Sequence, residues 1–297
     1  MAEPIEAIDA HHHIWRLADL AWLSGPPVPR IFGPYEAIRR DYTVDEFRRD
    51  LEGANVVKSI YVQTNWPPGG ELTEAQWVQS VANAAGWPHA CVAYADLADP
   101  NVDALLDKLC KLPTVRGVRQ QLHWHENPQY RFASRPNVMN DPAWRKGMTE
   151  LANRNLIFEL QVFAGQMQDG AELARAFPKV NFVLEHAGML EDLSLAGWEL
   201  WRRGMKLLAA QPNVFTKLSG LGTFVHAYPA EVVSPIIRET VSIFGAGRCM
   251  FGSNFPIEKL WTSYKALNET FRQSISYLSL EEQRAILHDT AAQLYRI

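Results

Sequence analysis

The chain has 297 residues, 47% of them hydrophobic and 21% charged, the balance of a folded globular protein and not of a disordered one. Lys+Arg 29 against Asp+Glu 33 leave a net charge of −4 with no basic block, so nucleic acid, whose phosphates need clustered positive charge, is excluded as an expected partner. Cys91, Cys110 and Cys249 are odd in number and far apart, which excludes a disulfide framework or zinc knuckle and points to a reducing, cytoplasmic setting.

In chain order, Met1 to Ala10 come first, and they carry Glu3, Glu6 and Asp9 where a secretory leader has a basic start and an apolar stretch. No run of about 18 apolar residues follows, so no membrane partner is expected. Short apolar β-rich runs then alternate with amphipathic stretches. Strands are expected at 8–14, 57–63, 89–96, 115–122, 157–163, 181–186, 214–219 and 249–254. Helix starts fall between them: Thr43 with Glu46, Thr73 with Gln76 and Ser279 with Glu282 have capping-box spacing, and Asp141 precedes Pro142 as a cap before a first-turn proline. Eight strands each followed by a helix predict an α/β fold with 1–297 as a single domain, a (β/α)8 TIM barrel whose chemistry sits at the C-terminal mouth. The Pro- and aromatic-rich 16–42 becomes a first βα loop too long for a plain connection, and it is expected to cap the mouth. A mobile surface loop is the alternative.

Strand alternation puts Asp9, His11 and His13 on one face of the first strand, where two imidazoles can hold one divalent cation. His123 and His125 repeat the His-x-His spacing, so spacing alone is weak, and the place at a strand end decides. His186, where an apolar run meets Gly188, is the expected third ligand, with a hydrogen-bonded strand-end histidine as the alternative. Arg119 and Gln121 share a face of the fourth strand, Lys217 and Ser219 a face of the seventh, and Gln63 lies on the second. Fixed cations facing a cavity favour an anionic small molecule or an oxyanion. Lys217 paired with Glu159 is the competing reading. Arg131 and Arg135 lie in the loop after strand four, where a carboxylate or plain solvent would meet them. Of the 10 tryptophans, Trp15, Trp66 and Trp124 follow strand ends and are expected to wall the pocket. No Gly-x-Gly-x-x-Gly, Walker-type loop or Gly-x-Ser-x-Gly elbow is present, so nucleotide cofactors and a serine nucleophile lack support.

Five ordered blocks carry a resemblance. Asp9-Ala10-His11-His12-His13-Ile14-Trp15, Gly117-Val118-Arg119, Glu185-His186-Ala187-Gly188, Lys217-Leu218-Ser219-Gly220 and Gly252-Ser253-Asn254-Phe255-Pro256 resemble the signatures of the amidohydrolase superfamily. Within it they are most similar to the branch of sugar-acid lactonases and 2-pyrone-4,6-dicarboxylate lactonase, over nearly the whole chain. The resemblance implies a distorted barrel and a hydrolase that opens a small, carboxylated lactone by water attack. It implies His11, His13 and His186 as metal ligands, zinc being favoured by imidazole donors. Strands four and five lack the bridging Lys or Glu and the histidine of two-metal members. One cation is therefore expected, and metal-free catalysis, known in the branch, stays open.

One block departs from the family. Asn254 stands where most of the superfamily has Asp, and an amide cannot collect a proton near pH 7. His123, His125 or His226 replaces the base, or the cation alone activates water, or the barrel is not a hydrolase. The expected catalytic set is Asn254, His186, Arg119 and Lys217, with Gln63, Gln121, His123, Ser219, Trp66 and Trp124 binding substrate. Metal-dependent non-oxidative decarboxylation and a catalytically impaired small-molecule-binding barrel are the competing functions. A homo-oligomer is left open.

Overall fold

Eight apolar runs become eight strands in a computed structural model that describes residues 5–297. They are β1 Ala7–His12, β2 Val56–Val62, β3 Ala90–Tyr94, β4 Val115–Gln121, β5 Ile157–Gln161, β6 Phe182–Leu184, β7 Val214–Leu218 and β8 Cys249–Phe251. Each strand pairs in parallel with the next in sequence. The reading of the first ten residues rests partly on 1–4, outside the described residues.

The ring closes without a β1–β8 ladder. A parallel bridge joins His12 to Phe255, and two 2.7 Å hydrogen bonds run from the Asn254 N–H to the His11 carbonyl and from the His13 N–H to the Phe255 carbonyl. This is the distorted (β/α)8 barrel. Its strands are buried on both faces, which is why they read as apolar runs and not as alternating patterns. Inside, Ile8, Ala10, Ile60, Val62, Val92, Ile157, Val183 and Met250 pack on Tyr295 from the final helix, Thr290–Tyr295. Outside, residues such as Phe158, Leu160 and Phe182 meet Trp144 and Trp201 on the surrounding helices.

Strict alternation fails on β1. The pairing with β2 shifts register between Asp9 and His12, so Ile8 and Ala10 fill the inner cluster while His11 still reaches the mouth. Asp9 accepts hydrogen bonds from the Tyr264 hydroxyl at 3.0 Å, the Ser253 N–H at 2.9 Å and the His11 N–H at 3.1 Å, and its carboxylate is not part of the donor set at the mouth.

Among the helix starts, the Ser279–Glu282 capping box forms, and Asp141 caps Pro142–Asn153 through the Ala143 and Trp144 N–H groups. Thr43 precedes Val44–Asp50 without a side-chain cap, because Glu46 is held by Arg40 and Lys259. Thr73 lies inside Glu71–Ala85 and caps nothing. The 16–42 segment is pinned to the barrel: Trp15 and Tyr42 exchange backbone hydrogen bonds, and the Trp22 indole donates to the Thr64 carbonyl at 2.8 Å. Among the described residues no helix is long and apolar enough to cross a membrane.

Candidate functional site

Left-handed backbone is concentrated where β6 ends. His186, Ala187 and Met189 have φ of 55, 49 and 53°, and Gly188 has 74°, a run that L residues adopt only at a cost in steric strain. This turn swings His186 over the barrel mouth, where its Nδ1 lies 2.9 Å from the Ser219 hydroxyl. Two glycines make room. A Cβ on Gly220 would fall 2.6 Å from the His186 Nδ1, and one on Gly252 would fall 2.9 Å from the His11 Cβ.

His11 lies beneath, fully buried, with neither ring nitrogen hydrogen-bonded. Its Nδ1 is 3.3 Å from Glu185 Oε1, and its ring centroid is 4.7 Å from that of His186. The other Glu185 oxygen accepts a 3.0 Å bond from Arg119 Nη1. Burial acts to raise the Glu185 pKa, but Arg119, the Glu159 hydrogen bond and Lys217 outweigh it, and the carboxyl is held below its usual range. Burial drives His11 well down and His186 to about 3, with Lys217 or Arg119 adding repulsion, so both rings are neutral and available as ligands.

Ligand atoms of His11, Glu185 and His186 all lie within 4.8 Å of one another. Buried imidazole and carboxylate atoms without partners are costly unless something satisfies them, and a divalent cation does so with this donor set. The set differs from the three imidazoles expected. Glu185 joins it, while His13 stands edge-on to His11 at 5.1 Å between centroids and commits its Nδ1 to the Val62 carbonyl at 2.7 Å. His13, lowered to about 3 by burial and then by Arg119, keeps Nε2 as an acceptor toward Asn254 and the mouth.

Above these groups is a cavity of about 100 Å³, lined by His13, Gln63, Arg119, Gln121, His186 and Asn254 from the expected set. Gln161, Thr223, Asn65 and Phe224 also line it, with Trp15 from the end of β1 and Trp22, Ile31 and Phe32 from 16–42. Asn254 has a φ of 58° and is nearly buried. No carboxylate is among the lining residues.

Several expected residues are elsewhere. Lys217 is fully buried below the cavity, its Nζ 2.6 Å from both Glu159 oxygens, with the Tyr295 hydroxyl donating to Glu159 at 2.5 Å; its charge is spent inside the barrel. Ser219 touches His186 and not the cavity. His123 packs against Phe132 and Phe163 and lines a neighbouring compartment with Arg30 and Arg131. Trp66 lines a groove between the β2 and β3 loops, and Trp124 lies under the Arg131 guanidinium. Of the three substitute bases, His125 accepts from the Asn127 N–H and His226 bonds the Ile31 carbonyl, and neither lines the cavity, nor does His123. Arg135 pairs with Asp141.

Sequence reasoning missed Glu185, although it precedes His186 in the same block, because strand alternation assigns neighbours to opposite faces and the left-handed turn breaks that rule. It also missed Glu258, which no pattern marks.

Known proteins share this chain's sequence pattern and fold. The sequence model of a family described as amidohydrolase matches residues 8–297. An uncharacterized protein of Sinorhizobium fredii is 39% identical over 295 residues, 99% of each chain. An L-fucono-1,5-lactonase of Burkholderia ambifaria is 28% identical over 256 residues, covering 85% of this chain and 81% of the other. A crystal structure of a Burkholderia multivorans amidohydrolase with bound zinc superposes with a TM-score of 0.82 at 25% identity, covering 98% of this chain and 99% of that one.

Proposed function

This chain belongs to the amidohydrolase family, and from that premise we propose that it opens a small, hydroxyl-rich lactone by attack of water on the ring carbonyl. The observation that carries the reading is the His11–Glu185–His186 donor set, with both His11 ring nitrogens and Glu185 Oε1 unsatisfied, beneath a cavity whose polar wall is largely amides and hydroxyls. Two relatives carry the name L-fucono-1,5-lactonase, which supports a sugar-type lactone. The carboxylate expected on the substrate loses its main argument, since Arg119 is paired with Glu185 and Lys217 with Glu159. An anionic tail has one remaining support: Arg30 and Arg131 line the neighbouring compartment with no carboxylate among its lining residues.

His11, Glu185 and His186 would hold one divalent cation, zinc by their chemistry, and such a cation polarises a carbonyl and makes bound water more acidic. The protein's own groups do the rest. His13, its Nδ1 proton tied to Val62, accepts a hydrogen bond from the attacking water at Nε2. Asn254 orients that water beside it, while Gln63, Gln121, Gln161 and Asn65 hold ring hydroxyls. Trp15, Trp22 and Phe32 cover the mouth and exclude bulk water.

Metal analysis of the purified protein, with a lactone panel followed by proton release, tests this. One equivalent of metal and turnover of L-fucono-1,5-lactone are expected, with His11→Ala and His186→Ala losing both. Stoichiometric metal surviving either change refutes the ligand set. Release of CO₂ from a carboxylic acid with no ring opening favours decarboxylation, and binding of a lactone without turnover favours a small-molecule-binding barrel.

A further inference from the structure

Four positions after Asn254, Glu258 is fully buried and has no cation partner among the described residues. The adjacent Lys259 points to Glu46 and Asp50 instead. Glu258 Oε2 accepts a 2.7 Å hydrogen bond from the Trp261 indole, and Oε1 has no hydrogen-bond partner. Around it lie the Gly222 N–H, the Asn254 amide and the Thr223 hydroxyl. The fit is close: a Cβ on Gly222 would fall 2.6 Å from Glu258 Oε2. Asn254 and Thr223 both line the cavity, so Glu258 stands one side chain behind a wall that contains no carboxylate of its own.

The other carboxyls beneath the mouth are committed. Glu159 is bound to Lys217, Glu185 to Arg119, and Asp9 to Tyr264 and backbone N–H groups. A carboxylate buried with neither cation nor full hydrogen bonding takes up a proton instead of remaining charged. The titratable groups facing Glu258 are the buried Tyr228 and, across the Trp261 ring at 5.9 Å between centroids, His226. Neither is hydrogen-bonded to it; the His226 ring bonds the Ile31 carbonyl instead.

We propose that Glu258 is held as a neutral acid behind the cavity and delivers its proton, through the Thr223 hydroxyl, to the ring oxygen that leaves when the lactone opens. This rests on the lactonase reading. In the step, the water oxygen bonds to the carbonyl carbon and the ring C–O bond breaks, its electron pair passing to the ring oxygen. Thr223 gives its hydroxyl proton to that oxygen and takes the proton of Glu258. The carboxylate left behind regains a proton released by the attacking water, so lactone plus water gives a hydroxy acid and both side chains return to their starting state. Burial pushes the Glu258 carboxyl up to about 8 against the hydrogen bonds that surround it, which keeps it loaded at pH 7 and discharges it above pH 8. The turn Glu258–Leu260 thus offers an acid four residues beyond Asn254. Glu258 does not touch the substrate; it acts through Thr223.

Two measurements on the full chain test this. Infrared difference spectra between pH 6 and pH 10 are expected to show a protonated carboxyl band, to which Glu159, pushed up to about 7 by burial, also contributes, and Glu258→Gln is expected to remove the component that titrates near pH 8. A band unchanged by that substitution overturns the proposal whatever the enzyme turns over. With L-fucono-1,5-lactone as probe, wild-type kcat is expected to fall on the alkaline side, and Glu258→Gln to lower kcat about tenfold or more, flatten that limb and leave KM nearly unchanged. Thr223→Val is expected to cause the same kcat loss if Glu258→Gln does not fold, and Thr223→Ser, which keeps the hydroxyl, to restore most of it. Wild-type turnover with unaltered kcat and pH profile in Glu258→Gln and Thr223→Val overturns proton delivery alone. A wild type that shows the band but opens no lactone refutes the lactonase reading, and the delivery step with it.

Discussion

Asn254 and Glu258 share a buried space, which decides what a carboxylate at position 254 would do. Two neighbouring buried carboxyls cannot both ionise cheaply, so Asn254→Asp is expected to hold a proton at pH 7 instead of serving as a base. Activity on a neutral lactone should fall, read as kcat/KM across pH 5 to 10. A gain of about tenfold, equivalent to about 1.4 kcal/mol of barrier, would show that Asn254 is only a weakened acid. Arg119 has a comparable dependence on its neighbours. Its Nη1 holds Glu185 and its Nη2 donates to the Gln63 carbonyl at 2.6 Å. Arg119→Met should therefore cost neutral and carboxylated lactones equally and reduce metal content, where a residue reserved for substrate carboxylate would raise KM for the charged lactone only.

Between elements, the Lys217–Glu159–Tyr295 network ties β7, β5 and the last helix together inside the barrel. Lys217→Met leaves Glu159 buried and unpaired, and urea unfolding should show a loss of about 3–5 kcal/mol. Adding Glu159→Leu should recover much of it. At the β6 and β7 ends, Gly220→Ala should move His186 and lower metal content while the far-UV circular dichroism stays the same, because Gly220 has a φ of 60° and faces the ring. The strands themselves were legible as apolar runs, each within a few residues of its place, because burial on both faces leaves so plain a mark. His11, His13 and His186 were legible by type and by their place at strand ends. What pairs with what was not: Glu159 is 58 residues from Lys217, and Glu185 is 66 from Arg119. Nor does a sequence show a register shift such as the one between Asp9 and His12, or the competition for Glu46 that leaves Thr43 without its box.

Across the whole molecule, burial of neutral histidines makes stability fall with falling pH. His123, among Phe132 and Phe163, is lowered from 6.5 to about 3 by burial and then by Arg119. Its unfolded form binds a proton below pH 6.5 while the native form refuses one until about pH 3, so stability is lost as pH falls through that window. Each such ring contributes a slope of about 1.4 kcal/mol per pH unit at most, and His123→Leu should flatten urea-derived stability between pH 6 and 4 by about that amount. The missing ladder between the first and last strands has its own consequence for how the protein is made. Among the described residues, the backbone links across that seam lie at the mouth, and they join residues more than two hundred positions apart. A ribosome delivers β1 early and Asn254 only after β2 to β8 have been made. His11 must wait, its carbonyl unpaired, until β8 and the residues after it have emerged, so no nascent fragment that stops short of Phe255 can assemble the seam beneath the cavity.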